Sequence, residues 1–332
     1  MKVLLHTEFE KQIGVSGLGK AIQHQVAALE ANNIPYTRDK NDDYDIAHFN
    51  FYGLGSYFLA KKAKKQGKKV IYHAHSTEED FRNSFIFSNQ IAPLFKWWIC
   101  KCYRLGDEII TPTPYSKKLL EGYGLKNIHA ISNGIDIKFF KKDAALGEKF
   151  RKKYHFKKSD KVVMGIGLFL ERKGILDFVE LARRMPEYKF IWFGYTDPKI
   201  IPKRVRNAIK NRPENLQFPG HVSAEEIKGA LSGADLYIFP THEETEGIPA
   251  MEACACEQRI IVRDIPVFEG WLEDGKTAYK AQDVDDFEKK IKMMLNDELK
   301  DLTAAAKKVA EKRSLENVGK ELVKVYYEAM KK

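Results

Sequence analysis

The sequence predicts an α/β protein made of two doubly wound parallel-sheet domains. Three observations carry this. Strands and helices alternate along the chain, which argues for a parallel sheet covered by helices. The alternation stops in a charge-dense stretch between Lys138 and Lys161 and then restarts with the same grammar. The length, 332 residues, exceeds one ordinary core and fits two.

The first half opens with a strand at Val3–His6 and a glycine-rich loop at Gly14–Gly19. A helix is expected over Lys20–Ala31, with Ile22, Val26 and Leu29 on its buried face and His24 and Gln25 outside it. Strands follow at Asp45–Phe49, Lys69–His73, Glu108–Thr111 and Ile128–Ile131. Between them lie a lysine-bearing helix (Ser56–Gln66), an aromatic helix (Phe95–Leu105) and a helix at Ser116–Tyr123. The boundary is placed in the lysine-rich stretch, giving domains 1–150 and 151 onward. Part of that stretch, Leu146–Tyr154, is expected to be helical.

The second half reads as strands at Lys161–Gly167, Lys189–Gly194, Leu216–Phe218, Ala234–Phe239 and Arg259–Arg263. Helices are expected from Lys173 to Arg184, over Pro202–Asn211, Ala224–Leu231, Pro249–Cys256, Val267–Glu273 and Asp285–Leu295, and as an amphipathic pair in Leu299–Met330. Proline suits a first helical turn, which sets the start at Pro249.

Composition excludes several classes. No apolar run of about 18 residues occurs, so no membrane-spanning helix is expected. Met1–His6 reads as a first strand and lacks the features of a signal peptide, so a cytoplasmic protein is the default expectation. Cys100, Cys102, Cys254 and Cys256 form two C-x-C pairs, a spacing that suits buried free thiols better than zinc. The formal charge of +10 suits nucleic acid, an anionic membrane or phosphorylated ligands. No helix-turn-helix, RNP or zinc-finger pattern supports nucleic acid.

Four constellations bear on chemistry. In Pro240–Glu252, Glu244 and Glu252 flank a helix start whose first backbone N–H groups lack intrahelical acceptors. Helix-dipole capping accounts for Glu246 and Glu243, but not for Glu252, one turn inside an apolar run. Carboxylates that grip hydroxyls beside N–H groups that grip an anion suit a sugar nucleotide. In Glu171-Arg172-Lys173-Gly174, Arg172 and Lys173 form a cationic turn able to clamp a diphosphate, where the alternative is a solvated turn. Gly14–Gly19 is not a G-x-G-x-x-G fingerprint; either it is a flexible turn or it lets backbone approach a phosphate. His73 and His75 end a strand; one is expected to face the core, leaving His75 as the functional candidate. Separately, the six lysines within Lys61–Lys69 suit a solvated helix face, while Ser84–Arg104, including Phe95–Arg104, interleaves aromatic residues with Lys96, Lys101 and Arg104, a composition that suits either a core helix with exposed cations or a membrane–water interface.

With these residues in view, the chain resembles the retaining glycosyltransferases of family 4, with the GT-B fold: two Rossmann-like domains facing across a cleft. Glu244-x₇-Glu252 with Gly247-Ile248-Pro249 inside it is similar to that family's E-x₇-E signature. Ser132–Asp136 resembles its asparagine-glycine-aspartate segment, and Gly167–Gly174 its phosphate-clamp turn. The resemblance implies that Glu252 binds a ribose and that Glu244, with the N–H groups of Gly247 and Ile248, holds the sugar. It implies that Arg172 and Lys173 bind the diphosphate, backbone near Val222 reads the base, His75 contacts the sugar, and Gly17 and Gly19 face the diphosphate. It further implies an acceptor-binding, membrane-facing domain 1–150, a donor domain 151–312 and a helix, 313–332, crossing back. Thr245 and Glu246 depart from the family's glycine and aromatic, which points to Glu246 in sugar selection; Leu168 replaces an arginine whose work falls to Arg172.

More narrowly, His73–Phe81, Arg172–Ile175 and Glu243–Pro249 resemble bacterial glycolipid synthases that add a second hexose to monoglucosyl-diacylglycerol, giving the anchor of lipoteichoic acid. The expectation is retaining transfer of glucose or galactose from a UDP-sugar, without a metal or other cofactor. The enzyme would sit peripherally on the inner face of the cell membrane, held by Lys61–Lys69 and Phe95–Arg104. The alternatives are a soluble family 4 transferase acting on a polysaccharide or small acceptor, and a non-catalytic sugar-nucleotide-binding protein.

Overall fold

A computed structural model describes residues 1–8 and 17–332. The chain divides into two compact units: residues 1–81, 90–136 and 313–332 form the first, and residues 82–89 and 137–312 the second.

The first unit holds a parallel sheet of β1 (Val3–His6), β2 (Tyr36–Thr37), β3 (Ile46–Phe49), β4 (Lys69–His73), β5 (Glu108–Thr111) and β6 (Ile128–Ala130), in the order β2-β1-β3-β4-β5-β6. Strand neighbours face opposite ways, so each strand feeds two cores. Leu4, Ala47, Phe49, Val70 and Tyr72 pack with Ala60 and Ala63 of α2 (Leu54–Lys65) and Ile99 and Tyr103 of α4 (Ser88–Tyr103). Val3, Leu5, Ile46 and Ile71 pack with Ala28 and Leu29 of α1 (Gly17–Ala31) and with Val318, Leu322 and Tyr326 of the last helix, α13 (Leu315–Lys331). The short α3 (Glu78–Phe81) and α5 (Pro114–Gly122) complete the set. α5 is capped by Thr113, whose side chain accepts from the Ser116 N–H while Ser116 reciprocates.

Two expectations fail here. His24 and Gln25 are buried rather than outward. α13 packs along α1, where Gly319 lies so close that a Cβ would stand 2.4 Å from the Ala28 carbonyl oxygen, and this widens the buried arc. The polar ends are satisfied inside: His24 Nδ1 meets the Gly134 oxygen at 2.9 Å, and Asn50 Nδ2 donates to Gln25 Oε1 at 2.7 Å. The aromatic helix also begins at Ser88, not Phe95, with Pro93 accommodated inside it on an exposed position.

The second unit's sheet comprises β7 (Val162–Ile166), β8 (Lys189–Phe193), β9 (Leu216–Gly220), β10 (Leu236–Phe239), β11 (Ile260–Arg263) and β12 (Tyr279–Ala281), ordered β9-β8-β7-β10-β11-β12 and parallel throughout. Its helices are α6 (Ala144–Lys153), α7 (Ile175–Arg184), α8 (Lys203–Lys210), α9 (Ala224–Gly233), α10 (Ile248–Ala255), α11 (Val284–Leu295) and α12 (Thr303–Lys312). Phe178, Phe190, Trp192 and Phe287 are among its fully buried side chains.

The first unit's central segment ends at Asp136, not at 150, because the charge-dense stretch is not a linker. α6 lies against α9 at glycine contact distance: a Cβ on Gly233 would stand 2.5 Å from the Gly147 oxygen. Arg151 of α6 donates to the Gly233 oxygen at 2.8 Å and to Asp235 at 2.7 Å. Dense charge there is an ion-paired helix face with Phe150 buried beneath it. The helix expected over Val267–Glu273 is a single 3₁₀ turn, Pro266–Phe268.

All four cysteines are buried and free, as their spacing predicted. Burial pushes the Cys102 and Cys256 thiols up to about 12, so both are protonated at neutral pH.

Candidate active site

In open parallel sheets, ligands bind beyond the carboxyl ends of strands where the strand order reverses. In the second unit that point lies between β7 and β10. The loops leaving those two strands carry Glu171–Gly174 and Pro240–Gly247.

The loops are joined tightly. Gly174 has φ +76°, and a Cβ there would stand 2.2 Å from the Pro240 oxygen. Only glycine allows that approach. The Arg172 carbonyl accepts from the His242 N–H at 2.6 Å and from the Thr241 hydroxyl at 3.0 Å. Arg172 Nη1 donates back to the Glu243 oxygen at 3.3 Å. Across the join, Lys173 Nζ forms an ion pair with Glu244.

Behind the join, Arg263 at the end of β11 donates to the Pro240 oxygen at 3.0 Å and pairs with Asp177 of α7, which also holds His242 at 2.9 Å. Sequence reading missed Arg263 and Asp177. Arginine ending an apolar strand, Ile260–Arg263, was the available signal.

Three carboxylates are buried at the head of α10: Glu244 at 8 %, Glu246 at 2 % and Glu252 at 1 % exposure. Glu246 is therefore no solvent-exposed helix cap, which corrects the capping account. The cap is Gly247, at φ +95°, where a Cβ would crowd the Phe239 ring at 3.1 Å. For Glu244, burial is the largest influence and opposes ionisation. Lys173 and Arg172 together overcome it and hold the carboxyl below its usual range.

Tyr237 of β10, also missed, lies beneath. Its hydroxyl is buried without a hydrogen-bond partner among the described residues. Burial, then the charges of Glu252 and Glu244, push its ionisation far up. Thr245, Gly247 and Ile248 belong to the same helix head. Val222 is half-buried just past β9, at the same carboxyl edge.

In the first unit, His75 lies two residues beyond β4. Its Nε2 is 3.0 Å from Asn50 Oδ1, and its ring stacks on His73 with centroids 4.0 Å apart and planes 14° apart. His73 is the buried member of the pair, as expected, but the two rings lie on the same side, because residues two apart on extended chain share a side. His73 packs in turn against His48, tilted, with centroids 5.4 Å apart, and His48 Nδ1 contacts the Tyr326 hydroxyl at 2.9 Å. Burial depresses His75 and His48 to about 3 and His73 well below its usual value, so all three imidazoles are neutral at neutral pH. Gly17 begins α1 exposed and Gly19 is buried within it. Gly14, Val15 and Ser16 of the glycine-rich loop lie outside the described residues.

The two basic-aromatic elements do share a face of the first unit. Tyr57 and Trp98 rings pack at 5.5 Å, and Lys101 of α4 sits over Tyr57 of α2 at 5.6 Å. Leu54, Phe58, Leu94 and Trp97 are exposed at 56–65 % on these helices, beside exposed Lys61, Lys62 and Lys65. Lys64 and Lys68 are turned to other work, pairing with Asp107 and Asp43.

Comparison with known proteins decides the family. Residues 147–313 match the "Glycosyl transferases group 1" family model, and residues 29–139 match "Glycosyltransferase Family 4". A processive diacylglycerol alpha-glucosyltransferase of Acholeplasma laidlawii is 41 % identical over all of this chain and 99 % of its own length. The chain is a family 4 glycosyltransferase. This glycosyltransferase is also 24 % identical, over 80 % of its length and 72 % of the relative's, to an alpha-galactosylglucosyldiacylglycerol synthase of Streptococcus pneumoniae. Among solved structures, Anabaena HepE in complex with UDP-glucose superposes with a TM-score of 0.79 at 16 % identity, covering 99 % of this chain and 100 % of that one. A Thermosynechococcus elongatus sucrose-phosphate synthase gives 0.82 at 16 % identity, covering 99 % and 98 %. These likenesses establish the GT-B fold. No helix among the described residues is long and apolar enough to cross a membrane.

Proposed function

We propose that this glycosyltransferase moves a hexose from a UDP-sugar to a glycolipid acceptor at a membrane surface, with retention of the α configuration. The observation that carries the reading is the Lys173–Glu244 pair at the head of α10, with Glu252 buried one turn inside. Glu252 takes the ribose hydroxyls. Glu244 and the N–H groups of Gly247 and Ile248 orient the hexose, and Glu246 with Thr245 selects it. Arg172 and Lys173 take the diphosphate, backbone near Val222 takes the base, and Gly17 and Gly19 give the phosphates close backbone. His75, kept neutral by burial, exchanges a hydrogen bond with a sugar hydroxyl.

In the reaction the bond between the anomeric carbon and the β-phosphate oxygen breaks, and the acceptor oxygen bonds that carbon on the same face. The acceptor proton passes to the departing phosphate oxygen. Charge grows on the diphosphate as the bond breaks, and fixed cations there lower the barrier. Lys173 and Arg172 supply that charge in place of a divalent cation.

Monoglucosyl-diacylglycerol is the proposed acceptor and UDP-glucose the first donor to try, in keeping with the names of the two diacylglycerol-directed relatives. A diglycosyl-diacylglycerol product would suit a lipoteichoic acid anchor. The exposed α2–α4 face is the membrane contact, with each cation near an anionic surface worth about 1 kcal/mol. Incubating the protein with that acceptor in anionic vesicles and with UDP-glucose or UDP-galactose separately tests the reading. An α-linked diglycosyl lipid is expected from one donor; no product from either sinks it. Product on a soluble acceptor without vesicle binding favours the polysaccharide or small-molecule alternative.

A further inference from the structure

Arg172 is also gripped from the first half of the sequence. Residues 82–89 belong to the second unit. The Arg172 N–H donates to the Asn83 oxygen at 3.3 Å, and Arg172 Nε donates to Ser84 Oγ at 2.8 Å. Ser84 is 2 % exposed. The segment is a closed strap. Asn83 N donates to Asn89 Oδ1 and Asn89 Nδ2 donates to Asn83 Oδ1, both at 2.9 Å. Ser88 N donates to the Phe85 oxygen at 3.1 Å, and Ile86 N to the Ile200 oxygen at 3.3 Å.

A strap serving only the core would turn its apolar residues inward. This one does the reverse: Phe85, Ile86 and Phe87 are exposed, and the polar Ser84 is buried against a guanidinium. Asn83 and Phe87 both hold left-handed backbone, at φ 54° and 64°. That conformation is unfavourable for a phenylalanine and points to a constraint imposed by the rest of the strap.

We propose that Ser84 is a positioning residue for the donor site: its hydroxyl fixes the plane of the Arg172 guanidinium so that the side chain meets the diphosphate without reorganising. The proposal rests on the donor reading of Arg172 given above. Nε is tied to Ser84 and Nη1 to the Glu243 oxygen, so two of the guanidinium's nitrogens are set by protein partners. A long cation held in its working orientation binds its ligand without first losing rotamer freedom.

The test is calorimetric titration of UDP into the full-length protein, with steady-state KM and kcat alongside. A hydrogen bond to a charged group predicts roughly tenfold weaker UDP binding in Ser84→Ala, a matching rise in the UDP-sugar KM, and kcat within about threefold of wild type. Ser84→Thr, which keeps the hydroxyl, restores affinity to within about threefold. Ser84→Cys, similar in shape with a weak acceptor, reproduces the loss and serves if the alanine variant folds poorly. Wild-type UDP affinity in both S84A and S84C, with Arg172→Ala clearly weakened, overturns the proposal. Unchanged affinity in R172A instead overturns the donor reading, and the positioning role with it.

Discussion

At the carboxyl edge of the first sheet a row of imidazoles is kept neutral by burial: His75 stacks on His73, which lies tilted against His48, itself edge-on to Tyr326. At the matching edge of the second sheet they are carboxylates and cations, and pairing keeps Glu244 charged against the same burial. Both sheets are six-stranded and parallel. The difference lies in what the loops bring. The β7 loop delivers Arg172 and Lys173 to the β10 loop, whereas in the β4 loop the His75 ring meets Asn50 and stacks on His73. A fixed field suits a leaving diphosphate; uncharged donors and acceptors suit a sugar hydroxyl. The same fold thus supports two chemistries through loop content alone.

The sharpest way to break this contrast is Lys173→Ala. It removes the cation proposed to face the leaving group and strands the Glu244 charge, so transfer should fall by about 10² to 10³ in kcat with the fold retained by circular dichroism. Wild-type transfer in the variant would remove Lys173 from the proposed donor machinery. On the neutral side, His75→Ala should lower kcat about tenfold, and wild-type kcat should show no inflection near pH 6.5, since the imidazole stays neutral down to about 3.

Acid should also separate the units. His75 and His48 have folded values below the unfolded 6.5, so the unfolded state binds more protons. Their stabilisation is complete above pH 6.5 and is lost as pH falls towards about 3, by up to about 1.4 kcal/mol per pH unit for each. Glu244, depressed from 4.5, contributes stability that is whole above pH 4.5 and fails only as pH falls through its folded value. Urea unfolding followed by hydrogen exchange between pH 6.5 and 4.5 should therefore show the first unit losing protection first. Equal loss in both would contradict the contrast.

On the outer face, Trp97→Ser with Lys61→Glu should weaken anionic vesicle binding about tenfold in a flotation assay while leaving UDP affinity unchanged. Last comes an effect of no size: under the proposal that Lys173 and Arg172 carry the diphosphate charge, EDTA should change transfer by less than about twofold. Restoration by added Mg²⁺ after EDTA would refute that assignment.

Much of this was legible in the sequence. Apolar runs such as Leu236–Phe239 and turn residues such as Gly174 report local constraint, so the strands and the two active loops could be read directly. What could not be read depends on long-range partners. His24 and Gln25 look solvent-facing until α13, nearly three hundred residues later, covers them. The helix in the charge-dense Ala144–Lys153 could be read, but not which unit it joins, which its glycine contact with α9 decides. Ser84 carries no local signal at all: its meaning lies in Arg172, 88 positions away. Glu246 looked like a helix cap because helix starts favour acids, and only the packed structure reveals it as buried.

The first unit is assembled from three separated segments, the last of them Arg313–Lys332, whereas the second is complete once residue 312 is made. On the ribosome this inverts the usual order, in which N-terminal domains fold first. The half of the sequence translated first must wait, its sheet face bare of Val318, Leu322 and Tyr326, until residues 313–332 emerge. Meanwhile the later half, its strap already synthesised, has everything it needs. During synthesis the first unit is thus the one whose apolar surface stays open longer, until residues 313–332 have been made.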